Sequence, residues 1–223
     1  MSIKIENVDV FGWEASIRGL RSPLNSWDKS DSGYVTEYDE GGFDAEFYKI
    51  GDNDLELMKK LIAAGPDHSK FMRMINVTLD ITAPLYWWKE FDTYKVGTVR
   101  NSCSTMHKIH EKEFTLDDFS HEHLIPEAVS FLSDIIDCLN DTRKAYMHYD
   151  EEKDKLAVDI DKKGLWWQMI QLLPSSYNQR ATVQLNYAVL RNMYNSRKNH
   201  KLDEWKDFCK WVETLPYSEL ITM

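Results

Sequence analysis

Cysteine is scarce in this chain: Cys103, Cys138 and Cys209 are the only three in 223 residues. They lie far apart and form no CxxC pair. The sequence therefore implies neither a disulfide framework nor a cysteine metal site, and a reducing cytoplasm suits it best. No apolar run approaches the ~20 residues of a membrane span, and the opening MSIKIENVDVFGW lacks the basic-then-apolar pattern of a signal peptide. The expectation is a soluble cytoplasmic protein with no membrane partner. Positive charge is in deficit, with 27 Lys and Arg against 37 Asp and Glu and a net charge of -10. That balance argues against a nucleic-acid partner, which would call for a basic footprint. There is no glycine-rich phosphate loop, no GxSxG elbow and no HExxH pair. Nor is there an internal repeat or a low-complexity segment, so residues 1–223 are expected to form a single domain.

Apolar and aromatic residues are abundant. Hydrophobic residues make up 43 % of the chain, enough for a sizeable core. Eight Trp and eleven Tyr point to buried aromatic surface, a stacking site or a subunit interface. The aromatics concentrate in residues 83–108, APLYWWKEFDTYKVGTVRNSCSTMHK. Tyr86, Trp87, Trp88 and Phe91 are threaded with Lys89, Glu90, Asp92 and Lys95, and a hydroxyl and thiol cluster follows (Thr98, Ser102, Cys103, Ser104, Thr105). The stretch reads as a helix that packs by its aromatics and ends in a polar loop, or as a ligand site.

Patterns along the chain place the other elements. Residues 3–10 alternate like a strand, and residues 11–20 read as a short helix. Residues 21–43 are rich in Ser, Asp, Gly and Asn and predict a long loop, near whose start Arg18 and Arg21 could hold an anion. Residues 52–64 predict a helix capped by Asp52 or Asn53, with Leu55, Met58, Leu61 and Ile62 on one face and Gly65-Pro66 at its end. Residues 71–82 predict a strand leading to Ala83-Pro84. His107, His110, His121 and His123 fall in HxxH and HxH patterns. Zinc would need about four ligands, and with no cysteine beyond Cys103 nearby these histidines read as scattered surface residues rather than as a metal site. Residues 125–150 predict a long helix with Ile125, Ala128, Phe131, Leu132, Ile135, Leu139 and Tyr146 as its buried stripe. A charged connection over 150–164 follows.

Residues 178–197, NQRATVQLNYAVLRNMYNSR, predict a helix whose one face carries Val183, Asn186, Leu190, Met193 and Arg197. An arginine ending such a stripe either pairs with an acid or receives a carboxylate or phosphate through its fork. Arg180, Arg191, Arg197, Lys198, His200 and Lys201 form a basic island that suits a small anionic ligand. A last helix over 202–215 would bury Trp205, Phe208, Cys209 and Val212.

Together these regions resemble the flavin-dependent thymidylate synthases. DHSKFMRMINVTLDITAP looks like that family's histidine-containing lead-in and strand. Residues 83–108 look like its motif segment, and LPSSYNQRATVQLNYAVLRNMYNSR like its later helix. HKLDEW is similar to its His-Ala-Gln-x-Glu segment, one residue out of step. The likeness covers residues 50–110 and 165–212. The family's Arg-His-Arg triplet falls on Thr93, Tyr94 and Lys95, its motif Ser on Thr98 and its later Ser on Cys103. The Gln before the triplet falls on Glu90, and the Arg of Asn-x-Arg on Ala188. His68, Asn186, Arg197 and, one residue out of step, His200 match.

The resemblance implies an α+β fold with a central, mainly antiparallel sheet flanked by long helices. It implies FAD as cofactor, dUMP as nucleotide substrate, methylenetetrahydrofolate as carbon donor and a homotetramer. Lys95, Thr98 and Arg197 would bind substrate, and His68, Asn186 and His200 would bind cofactor. Cys103 and Tyr94 would stand at the chemistry. The alternatives are a scaffold that binds a nucleotide or a protein without catalysis, a kind of divergence that fits a mobile element such as a bacteriophage, and a purely structural protein in which Arg197 pairs with one of the chain's own carboxylates.

Overall fold

Alternating burial marks the strands. In the segment Asn76–Pro84, Val77, Leu79, Ile81 and Ala83 are buried while the residues between them stay half-open. In Asn178–Asn186, Gln179, Ala181, Val183 and Leu185 are buried and Arg180, Thr182 and Gln184 are exposed. This two-residue period is that of a sheet with one covered face. The computed structural model describes residues 3–38, 44–150 and 160–223. Strands β1 (Lys4–Phe11), β4 (Asn76–Pro84), β5 (Val99–Ser102) and β6 (Asn178–Asn186) form a mainly antiparallel sheet in the order β1-β4-β6-β5. Strands β2 (Gly33–Tyr38) and β3 (Asp44–Lys49) form a separate antiparallel pair, with Gly33 opposite Lys49 and Val35 opposite Phe47. The helices are α1 (Trp13–Arg21), α2 (Asp52–Ala63), α3 (Leu85–Phe91), α4 (Pro126–Met147), α5 (Lys162–Leu172), α6 (Tyr187–Arg197), α7 (Asp203–Val212) and α8 (Glu219–Thr222). The fold class is α+β, as the sequence implies.

The chain divides into two compact units, one of residues 1–4, 81–93 and 101–181, the other of residues 5–80, 94–100 and 182–223. In the first, α3 is the aromatic helix of the motif stretch. Trp87, Trp88 and Phe91 are buried, their rings 5.0–5.2 Å apart, and the Trp88 indole N–H donates to the Gln179 carbonyl at 2.9 Å. Its first free amides, Leu85 and Tyr86, donate to the carbonyls of Tyr177 and Ser175. The aromatics of this stretch are therefore core, and Ala83-Pro84 closes a strand. Below them, Ile109, Phe114, Phe119, Leu132, Ile136, Leu139 and Met169 form one apolar cluster between the loops and the α4–α5 pair. Ile125 and Phe131, expected in the buried stripe of α4, are exposed, because the buried face runs through Leu132, Ile136, Leu139 and Asn140 instead. Part of the charged connection, residues 151–159, lies outside the described residues.

The second unit corrects three expectations. The predicted helix over 178–197 begins only at Tyr187, because the alternation of NQRATVQLN selects strand and Asn186 ends it. The predicted strand over 71–82 starts later, after a 3-10 turn at Lys70–Arg73. The predicted loop over 21–43 contains two 3-10 turns and β2; residues 39–43 lie outside the described residues. Arg21 does not wait for an external anion. It is buried, and its Nη2 and Nε reach Asp54 Oδ1 at 2.6 and 2.7 Å. The other carboxylate oxygen accepts the hydroxyls of Ser30 and Ser32, each at 2.6 Å. Asp31 in turn caps α2, accepting the amides of Asn53 and Asp54, so the cap comes from the preceding segment rather than from Asp52 or Asn53. Arg18 lies exposed beside Glu14.

Burial alone would push the Asp54 carboxyl up, but the Ser30 and Ser32 hydroxyls and Arg21 hold it below the usual carboxylate range. Asp54→Ala leaves a guanidinium buried without its partner and should cost about 3–5 kcal/mol in urea unfolding. A depressed carboxyl stabilises the fold in full above the ordinary value of 3.8 and loses that contribution as pH falls through its folded value. The stability gap between the wild type and Asp54→Ala should therefore persist at pH 5 and narrow only below about 3.8. A gap under about 1 kcal/mol at pH 7 would contradict the network's role.

Candidate functional site

The site is built on α6 and on the loop that follows α3. Asn186 ends β6 and caps α6: its Oδ1 accepts the Val189 amide at 3.1 Å. The buried face of α6 is Tyr187, Leu190 and Met193. The Tyr187 hydroxyl donates to the Pro216 carbonyl at 2.5 Å, and burial pushes this phenol up well above its ordinary range. Arg197 is the last residue of the helix, about 16 Å along the axis from Asn186.

The loop Tyr94–Thr98 runs along this helix, touching both ends. At one end Gly97 adopts φ +80°, and a Cβ there would stand 3.1 Å from Asn186 Nδ2 and 3.1 Å from Val189 Cγ2. Only glycine meets both demands without displacement. At the other end the Tyr94 hydroxyl accepts Arg197 Nε–H at 2.9 Å. The guanidinium carbon sits 5.5 Å from the Tyr94 ring centroid and 4.9 Å from that of Trp205. Trp205, on α7, is fully buried and packs edge-on against Phe208. His200 lies beside it, its Nδ1 accepting the Leu202 amide at 3.2 Å, its ring 6.4 Å from Trp205. Of the residues implied by the resemblance, Tyr94, Arg197 and His200 thus gather at the C-terminal end of α6, while Asn186 stands at its other end.

The remaining candidates differ in their commitments. Lys95 is exposed and its ammonium takes no partner among the described residues. His68 is exposed, and its backbone amide donates to the Gly65 carbonyl at 3.1 Å. The Thr98 hydroxyl is buried with no hydrogen-bond partner among the described residues. Cys103 belongs to the other unit. It is exposed, its amide donates to the Arg180 carbonyl at 2.9 Å and its carbonyl accepts Gln179 Nε2 at 2.7 Å. The four histidines of the HxxH and HxH patterns do not assemble a ligand set. His110 packs on Tyr146 and His121 Nδ1 bonds the Phe119 carbonyl, and no group of three potential metal ligands occurs among the described residues.

Solved structures match essentially the whole chain, among them two with FAD and dUMP. One is the flavin-dependent thymidylate synthase ThyX from Helicobacter pylori complexed with FAD and dUMP, at 16 % identity and TM-score 0.61, covering 99 % of this chain and 98 % of that one. A second structure of Helicobacter pylori ThyX with FAD and dUMP matches at 16 % identity and TM-score 0.62, over 99 % and 96 %. The fold is that of the flavin-dependent thymidylate synthases. No family model matches the chain, and no curated protein does. The thymidylate synthase fold therefore rests on shape rather than on sequence identity. No helix among the described residues is long and apolar enough to cross a membrane.

Sequence reasoning missed Trp205 as part of the site, placing it only in a core. Its signal was present: an indole eight positions after Arg197, across one turn, can return to the guanidinium. It also missed the demand on Gly97. Gly97→Ala combines a positive φ with two close contacts and should destabilise the protein by about 1–3 kcal/mol in urea titration. Unchanged stability would mean that the loop does not press on α6.

Proposed function

We propose that this protein is a flavin-dependent enzyme acting on a pyrimidine nucleotide, of the kind that methylates dUMP to dTMP with methylenetetrahydrofolate and reduced flavin. The observation that carries the proposal is the loop laid along α6, with the exposed Lys95 ammonium, the unbonded Thr98 hydroxyl and the Arg197 guanidinium all on that loop and helix. Cationic and hydroxyl donors are the chemistry a phosphate requires. Lys95, Thr98 and Arg197 are assigned to the nucleotide. The donor set also fits a flavin: the exposed, unbonded imidazole of His68 is available to a ring carbonyl or phosphate, with Asn186 and His200 further along the same unit. The flavin, when bound and in its reduced form, would supply the hydride. Cys103 is assigned the place of the family's later serine. The chain is proposed to act as one thymidylate synthase-like domain, in a homotetramer.

A second reading has an observation of its own. Asn186 Oδ1 is committed to the α6 cap and Arg197 Nε to Tyr94. Residues so engaged inside the protein suit a scaffold that holds a nucleotide, or a protein partner, without turning it over. The change of the triplet to Thr93, Tyr94 and Lys95 points the same way, since a lysine is a point charge and not a bidentate fork.

The visible absorption spectrum separates the two. Protein that carries a flavin band, or gains one with added FAD and shifts it with dUMP, supports the enzyme. Protein that stays colourless with excess FAD yet binds dUMP supports the non-catalytic scaffold. Protein that binds neither rejects both nucleotide readings.

A further inference from the structure

Arg197 is held in a way that a surface arginine is not. Its Nε–H bond to the Tyr94 hydroxyl fixes rotation within the guanidinium plane. Its stacking on Trp205 at 4.9 Å and Tyr94 at 5.5 Å fixes the plane itself. The platform is rigid, because Trp205 is fully buried and braced by Phe208 at 5.6 Å and by Tyr94 at 6.1 Å. An arginine side chain has many rotamers, and binding an anion ordinarily has to remove that freedom. Here the protein has removed much of it beforehand.

We infer that Tyr94 and Trp205 are positioning residues, which set the direction of the Arg197 guanidinium for the phosphate of the bound nucleotide. The inference rests on the nucleotide reading above and gives Tyr94 a role distinct from chemistry at the base. The hydroxyl of Tyr94 has its oxygen turned to Arg197 as acceptor. The ring lends its face to the same group. A chain with fewer cations in its motif segment gains from holding the remaining guanidinium still, since a pre-oriented fork binds an anion at lower entropic cost.

The test is a double-mutant cycle on nucleotide binding, read by calorimetry on the full chain with dUMP and, in parallel, deoxyuridine, which lacks the phosphate. Tyr94→Phe keeps the ring and removes the acceptor, so it is expected to weaken dUMP binding about tenfold, the scale of one charge-assisted hydrogen bond, and to leave deoxyuridine unchanged. Arg197→Lys should weaken dUMP by at least as much, and Tyr94→Phe added to it should weaken dUMP no further. Trp205→Phe, which preserves an aromatic platform, should retain most of the affinity that Trp205→Leu loses, with circular dichroism confirming that both fold. Additive losses in the cycle, equal losses for dUMP and deoxyuridine, or undiminished dUMP binding by Tyr94→Phe would each overturn the positioning role while the nucleotide reading stands. Wild-type protein that binds no dUMP would remove both.

Discussion

The amide of Asn186 sits where a strand becomes a helix, and the candidate site depends on that junction. A helix start leaves several backbone N–H groups without partners. Asn186 satisfies one of them, at Val189, from a backbone that is still extended, with φ -134°. That cap fixes where β6 stops and in which direction α6 leaves. It also sets the floor on which Gly97 rests, because the Nδ2 of the same side chain stands 3.1 Å from where a Cβ at 97 would lie. One side chain therefore orders a strand, a helix and the loop that carries Lys95 and Thr98. Asparagine suits the position because it is short, offers an acceptor to the helix and presents a neutral donor to the other side.

The same junction shows what a linear pattern hides. Residues 178–197 contain apolar positions at spacings of three and four, and these select a helix when read as one segment. Val183, Leu190 and Met193 are indeed all buried. Yet Val183 belongs to a strand of period two, alternating with exposed Thr182 and Gln184, while Leu190 and Met193 belong to a helix of period 3.6. Two short periods joined at Asn186 imitate one long one. Elements with a single period over their whole length were legible: α2 and α7 begin and end close to where apolar spacing places them. Segments whose order depends on a distant partner were not. The Ser30–Ser32 segment owes its shape to a carboxylate at Asp54, more than twenty positions away, so its polar composition reads as loop.

The candidate site residues come from a different kind of reading. They were chosen by resemblance to a family whose chemistry demands particular side chains, and it is the fold of that family that the structure matches. Their interactions were not legible, because a sequence lists groups without their commitments. Arg197 could have met an acid, an anion or an aromatic face. Among its contacts the fold places a phenol oxygen and two rings. The tyrosine that replaces the central histidine of the triplet could have been a proton donor to a base. Its oxygen instead accepts a hydrogen bond, and its ring lies against a cation.

This arrangement gives the altered triplet a physical logic. Two flexible cations near a phosphate dianion each lose rotamer freedom on binding, and their mutual repulsion has to be offset as well. One guanidinium held between rings avoids both costs but surrenders bidentate reach from the triplet itself. Lys95, exposed and unpaired among the described residues, keeps a mobile charge on the same loop. On the proposed reading, a rigid fork that sets direction and a loose ammonium that adds charge would divide between them what the two arginines of the family's triplet supply. Binding can survive such a division, since charge and orientation are both still supplied. Catalysis asks more, because donors must strengthen their grip as charge develops on the pyrimidine, and a compact point charge on a flexible stem follows that change less closely than a second fixed fork. On the proposed reading, any chemistry left to this chain would be limited first at the base, and only afterwards at the phosphate.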